Sequence, residues 1–251
     1  MSGHSKWSTI KRKKGATDAK RGALFTKVIK EIIVAAKAGG GDPGTNARLR
    51  TVLEKARSVN MPQDNMKKAI LKGTGELPGI TYEEITYEGY GPGGVALIIN
   101  VTTDNKNRSA ASVRDILKKS GGSMAALGAT AWQFDMKGYI IVPKEAIDEE
   151  TLMGIALDAG AEDIKTEDES YDIIILPADF DKVKKALDAK SVKYSSAEIT
   201  MVPKNYAKLA GKDAEAMLRL MDNLDEDEDV QNVYANFDIS KEELEAIENK
   251  K

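Results

Sequence analysis

Six side chains near the start of the chain, Lys6, Trp7, Lys11, Arg12, Lys13 and Lys14, lie within nine positions of one another. Cations in such a cluster neutralise phosphates and release counterions, and an indole among them stacks on a base. The same indole would serve equally as a staple that packs this segment onto whatever follows it. Further along, Lys20 and Arg21 lead into Lys27, Lys30 and Lys37. On a helix, positions 20, 27, 30 and 37 fall within about 100° of one another, which makes a stripe of positive charge. Chemistry of this kind is binding, and it needs no catalytic geometry.

A second polar cluster is Thr103-Asp104-Asn105-Lys106-Asn107-Arg108, set between a strand-like run and a helix start. Its backbone N–H groups, with Lys106 and Arg108, could hold a phosphate or carboxylate. Capping and loop chemistry by Asp and Asn is the competing reading, with Asp104 as the cap. A third cluster, Asp225-Glu226-Asp227-Glu228-Asp229, lacks the alternating ligands and central Gly of an EF-hand loop. It reads as a solvated loop, able also to repel nucleic acid from one face or to meet the basic end of the same chain.

Other chemistries are excluded. With no Cys there are no thiolate nucleophiles, disulfides or Cys-based zinc sites. The single histidine, His4, rules out a two-His metal site. No P-loop or HExxH motif occurs, and Gly89-Tyr90-Gly91-Pro92-Gly93-Gly94 lies between strand-like runs as a turn. No catalytic residue, metal or cofactor is therefore expected. An enzyme would have to use the Asp104/Arg108 cluster or the acidic run with a divalent metal. No apolar run approaches the ~20 residues of a membrane span, and no secretory h-region follows the basic start, so the expected compartment is the cytoplasm.

Charge is divided unevenly along the 251 residues. Residues 1–75 carry a net charge of +12 and the remainder −15, hidden within an overall −3. A basic end on an acidic body points to a polyanionic partner, nucleic acid above all.

The elements that must position these groups are legible from periodicity. Residues 1–20 show no helical apolar stripe and are expected to form a flexible basic arm. Residues 21–75 read as a helical domain. Its first helix, over 21–38, is stopped by Gly39-Gly40-Gly41; a second covers 46–59, and a third begins at Pro62. Beyond it the period changes to that of strands. Residues 81–87 and 95–102 form a hairpin, a helix runs to about residue 119, and residues 129–134 form a strand. Residues 138–202 then follow a βαββαβ order, the ferredoxin-like pattern, with a first strand at 139–142. A helix at 213–223 and a strand at 230–235 would complete the interrupted unit. The expected fold is therefore α+β and multi-domain. Residues 76–135 and 203–240 make a discontinuous domain, 136–202 a ferredoxin-like insertion, and 241–251 a C-terminal tail.

Several blocks in this order resemble the YebC/PmpR family, which includes the mitochondrial translational activator of cytochrome oxidase. They are Gly3-His4-Ser5-Lys6-Trp7, Asp18-Ala19-Lys20-Arg21 with Phe25, and the stretch from Ala36 to Pro43 followed by Asn46 and Leu49-Arg50. Asn60-Met61-Pro62 with Asp64, Thr103 to Arg108, and Asp229-Val230-Gln231-Asn232-Val233-Tyr234 with Asn236-Phe237 complete the set. The chain departs from the family pattern at Asn100, Ser109 and Ala125-Ala126. The resemblance implies an N-terminal helical domain and two α+β domains, the third inserted into the second. It also implies a non-enzymatic role in gene expression. Some members look like DNA-binding transcriptional regulators; others look like ribosome-associated translation factors that bind ribosomal RNA and aid synthesis of proline-rich stretches.

The partners expected are thus DNA or ribosomal RNA, with the ribosome as a further candidate and no membrane. A third possibility is a pure interaction module that docks through residues 138–202. No helix-turn-helix pattern of base-reading side chains stands out, which favours recognition of backbone and shape.

Overall fold

The structure is a computed structural model that describes the backbone of residues 18–248 and the side chains of residues 22–247. Lys6, Trp7, Lys11, Arg12, Lys13 and Lys14 lie outside the described residues, as do residues 1–17 of the arm expected over 1–20 and the side chains of Lys20 and Arg21; residues 18–20 are not arm but the first turn of a helix.

Three helices come first: α1 (Asp18–Gly39), α2 (Ala47–Ser58) and α3 (Gln63–Thr74). Val28, Ile32 and Ala36 of α1 pack on Leu49, Leu53 and Ala56 of α2 and on Met66 and Ala69 of α3. One side chain fixes the first corner. Asn46 caps α2 by accepting from the Leu49 N–H at 3.0 Å, and its amide donates to the Ala35 and Gly40 carbonyls, both at 2.8 Å. Helices α1 and α3 cross closely because Gly73 has no side chain there. A Cβ at that position would lie 2.5 Å from the Ile33 carbonyl oxygen.

The next unit is a four-stranded sheet in which Ser123–Ala125, Glu83–Tyr90, Ala96–Thr103 and Val230–Ala235 lie side by side in that order. Strands β1 (Glu83–Tyr90) and β2 (Ala96–Thr103) form the hairpin. Helix α4 (Lys106–Lys119) leads into β3 (Ser123–Ala125). The chain then leaves along β4 (Phe134–Pro143), α5 (Glu149–Asp158), β5 (Ala161–Thr166), β6 (Ser170–Ile175), α6 (Phe180–Ala189) and β7 (Ser196–Pro203). It returns through β8 (Ala207–Leu209), α7 (Gly211–Glu226), β9 (Val230–Ala235), β10 (Phe237–Ile239) and α8 (Lys241–Glu248). Helices α4 and α7 supply Val113, Leu117, Met217 and Leu220 to a core shared with Leu97 and Ile99 of β2.

The inserted unit is an antiparallel sheet in the order β5-β6-β4-β7, the ferredoxin-like arrangement. Leu152, Val183 and Leu187 of its helices cover Ile140, Val142, Ile173 and Ile175 on one face. On the other face Asp172 is fully buried, accepting hydrogen bonds from Tyr139 Oη and, at 3.0 Å, from Ser170 Oγ. Burial pushes its carboxyl above the usual range, against the pull of those bonds. Strands β4 and β7, which enter and leave the insertion, are paired with each other from Phe134↔Pro203 to Ile141↔Ser196.

Beyond the early start of α1, the elements differ from the sequence reading in five places. Residues 129–134 are not a strand. Thr130 and Ala131 give their N–H groups to Glu88, Ala131–Gln133 form a 3-10 turn, and one strand runs on from Phe134 to Pro143. The short strands β3, β8 and β10 have too few residues to show a period. Helix α7 extends to Glu226, so the acidic run begins inside a helix. Residues 241–248 are helix α8, whose Leu244 and Ile247 pack on the second core, where a tail was expected. Asn105, not Asp104, caps α4.

Candidate nucleic-acid interface

Lys27 and Lys30 do not belong to a solvent-facing stripe. They are 7% and 6% exposed, held against the end of α7 and the acidic loop after it. Lys27 Nζ donates to the Asp225 carbonyl at 2.5 Å. Lys30 Nζ donates to the Glu228 carbonyl at 2.8 Å and to Asp229 Oδ1 at 2.7 Å, and it lies 5.6 Å from the centre of the Tyr82 ring. The carbonyl end of a helix is negative, so two ammonium groups fit there. The helical wheel places these lysines away from the apolar face of α1, but a second packed element covers them. Lys37, by contrast, is exposed.

The polar cluster at 103–108 meets the same loop. Asp229 Oδ2 accepts from Thr103 Oγ1 at 2.9 Å and from an Arg108 guanidinium N–H at 3.0 Å. Arg108 also binds Asp104 at 2.5 Å. Burial works against the charged form of Asp229, but the hydrogen bonds from Lys30 and Arg108 outweigh it and hold the carboxyl below the usual range. Asn105 Oδ1 accepts from the Asn107 and Arg108 N–H groups, both at 3.1 Å. Lys106 pairs with Glu83 at 2.5 Å. Asn105 thus caps α4, Asp104, Lys106 and Arg108 form ion pairs, and Asn107 contributes its backbone N–H to the cap.

Between these groups lies a cleft of about 430 Å³, lined by Thr26, Lys30, Tyr82, Asp104, Arg108, Ser112 and Asp227 to Asp229. Its carboxylates outnumber its cations, and both its cations are already paired. That electrostatic balance does not favour a phosphate. Among the described residues, no group of three or more His, Asp or Glu is placed to hold a metal ion.

The cations open to solvent lie elsewhere in the helical domain. Lys37, Arg50, Arg57, Lys67, Lys68 and Lys72 are all exposed. Arg50 donates to the Pro43 carbonyl at 2.9 Å, and none of the six is ion-paired among the described residues. Arg48 is engaged by both carboxylate oxygens of Glu84, and Lys55 is bound to Glu31 at 2.6 Å. Helix geometry sets Arg50 and Arg57 on one side of α2, seven residues apart, and Lys68 and Lys72 on one side of α3. Five of these six, all but Lys37, escaped the site assignment from sequence. The signal was present as cations between the buried positions of α2 and α3. Among the described residues, no helix is long and apolar enough to cross a membrane.

Two family models match the chain. One, described as the TACO1/YebC protein N-terminal domain, covers residues 5–76; the other, described as the TACO1/YebC second and third domain, covers residues 82–237. A relative from Citrifermentans bemidjiense is 57% identical over 247 residues, spanning 98% of this chain and all of its own. Relatives from Geobacter sulfurreducens and Dictyoglomus turgidum are 56% and 53% identical, again over 98% of this chain and the whole of each. All three are named probable transcriptional regulatory proteins. The crystal structure of a conserved hypothetical protein, Aq1575 from Aquifex aeolicus, superposes with a TM-score of 0.78 at 43% identity, covering 89% of this chain and 93% of that one.

Proposed function

Because the chain belongs to the TACO1/YebC family, we propose that it is a non-enzymatic, nucleic-acid-binding regulator of gene expression that holds phosphates on its helical domain. One observation carries this reading. Six exposed cations of the domain form no ion pair among the described residues, while Lys27 and Lys30 are spent inside the molecule on the acidic loop. The interface is Lys37, Arg50, Arg57, Lys67, Lys68 and Lys72, joined by Lys6, Trp7, Lys11, Arg12, Lys13, Lys14, Lys20 and Arg21. Lys27, Lys30 and the 104–108 cluster are structural. The names of the relatives favour DNA as the target.

Ribosomal RNA is the second reading, and the exposed face of α3 favours it. Lys67, Lys68 and Lys72 are point charges suited to phosphates, and Gln63, in the first turn, is an exposed amide able to read a base edge.

The test is binding to a promoter-length DNA duplex and to a structured ribosomal RNA fragment across a series of salt concentrations. Replacing Lys67, Lys68 and Lys72 together by Gln is expected to reduce the slope of log affinity against log salt by about 2 to 3 units. An unchanged slope would remove α3 from the interface. The tighter binding partner at a fixed salt concentration decides between DNA and RNA.

A further inference from the structure

The segment from Ser120 to Phe134 has fifteen residues without one charge, in a chain whose charged fraction is 31%. It contains the two most exposed large apolar side chains among the described residues, Leu127 at 84% and Trp132 at 64%. Ordinary folding gains little from either.

The backbone that carries them is held tightly all the same. Glu88 of β1 is buried, with its carboxylate turned into the loop. It accepts from the N–H groups of Gly128 at 2.6 Å, Thr130 at 2.6 Å and Ala131 at 2.9 Å. Burial alone would raise its carboxyl, but these three bonds and the Thr130 hydroxyl hold it below the usual range. The Ala129 carbonyl takes the Tyr90 hydroxyl at 3.2 Å and the Trp132 indole N–H at 3.0 Å. Gly128 turns the chain at φ +86°, where an L side chain would be strained. A buried carboxylate therefore fixes a loop whose tip is presented to solvent.

We propose that this loop is a second contact for nucleic acid, in which Trp132 stacks on an unpaired base and Leu127 wedges beside it. The inference rests on the nucleic-acid reading above and adds the part of the ligand that the cations do not touch. The indole N–H is used internally, so the ring offers its π faces, which suit a planar neutral partner. The loop has no cation to pair with a phosphate. Small residues at 125, 126, 128 and 129 let a base approach the backbone closely. Aromatic side chains on rigid supports bind single strands in this way, and apolar wedges separate stacked bases. Arg48 docks on Glu84, four residues before Glu88 on the same strand. That spacing is roughly 13 Å along β1, within reach of a short single strand that also meets the helical domain.

The chain has two tryptophans, so Trp7→Phe leaves Trp132 as its sole reporter. Titrating that full-length protein with an unstructured 20-nucleotide RNA is expected to quench its emission, and an abasic strand of equal length is expected to leave it unchanged. In the otherwise native chain, Trp132→Ala should weaken binding to this RNA roughly 5- to 100-fold with no change in salt slope, and Trp132→Phe should restore most of it. Absent quenching, with Trp132→Ala binding as tightly as the native chain, overturns the inference. If the triple α3 variant still lowers the slope, the proposed function survives alone; if no strand binds at all, both fall. Loss of regulation in cells by Trp132→Ala at unchanged RNA affinity would assign the loop to a protein groove and also overturn the inference.

Discussion

Lys30 and Asp229 stand 199 residues apart in the chain and meet at 2.7 Å, with less than a tenth of either side chain exposed. The helical domain is thereby tied to the start of β9, and through Thr103 and Arg108 to the end of β2 and the start of α4. Local hydrogen bonds surround the pair, so neither charge is left to the interior alone.

Removing one member of such a pair strands the other. Asp229→Ala is expected to destabilise the protein by about 3 to 5 kcal/mol in urea unfolding, since it leaves Lys30 without a counter-charge. Lys30→Met, which keeps the apolar stem but removes the ammonium, should cost less, because Asp229 retains Arg108 and Thr103. Equal losses for the two variants would show that the site is not organised around the Asp229 carboxylate.

Asp172 has the opposite sign. Its folded-state carboxyl is raised, so the ionised form opposes folding, and that penalty is present at neutral pH. Asp172→Asn should therefore raise the melting temperature at neutral pH while keeping a partner for Tyr139 and Ser170. The gain should shrink as pH falls and vanish below about pH 4, where the carboxyl is protonated in both states. Thermal melts of both proteins across pH check this. A gain that grew on acidification would contradict it.

Asp229 and Glu88 behave the other way round. Both are held below the usual carboxyl range, so the stability they contribute is complete above about pH 5 and is lost as pH falls through their folded values. In an Asp172→Asn background the remaining acid-side loss should be reduced by Glu88→Gln or Asp229→Asn, and a pH profile unaltered by both would assign it elsewhere.

Glu88→Gln places an amide N–H₂ where three backbone N–H groups converge. The loop at 126–131 is expected to loosen, with faster amide exchange at Gly128, Thr130 and Ala131 and a stability loss of about 1 to 3 kcal/mol. Exchange at these amides unchanged from the native chain would show that the carboxylate does not hold the loop.

What was legible in the sequence was local. Gly39 to Gly41, Pro62 and the 3.6-residue spacing of Val28, Ile32, Ala36, Leu49, Leu53 and Ala56 mark the helical domain, because helix ends and faces are set by neighbours in the chain. The ferredoxin-like order of residues 138–202 was legible for the same reason. Lys27 and Lys30 were misplaced because a helical wheel shows which face is polar and not what packs on it. Their partners lie about two hundred residues away. The acidic run is able, from sequence, to meet the basic end, but only the fold reveals that Asp225, Glu228 and Asp229 do so through two carbonyls and two carboxylates. Glu88 gave no signal, as its partners are backbone groups of a loop that shows no period. Strands β3, β8 and β10 owe their form to neighbours rather than to their own three residues.

The pairing of β4 with β7 has a mechanical meaning. The insertion departs and returns at the same place, since Lys137 and Thr200 are ladder partners. A short turn between those two residues would close the second domain without disturbing its sheet, so that sheet does not depend on the insertion for its continuity. The third domain is fastened at that root, where Met201 packs with Ile98, Phe134 and Tyr234, and again at its β5–β6 turn, where Glu169 accepts from Lys241 at 2.9 Å. Two separated attachments act as a hinge pin and a latch, so the facing of the third domain on the second is set at both ends.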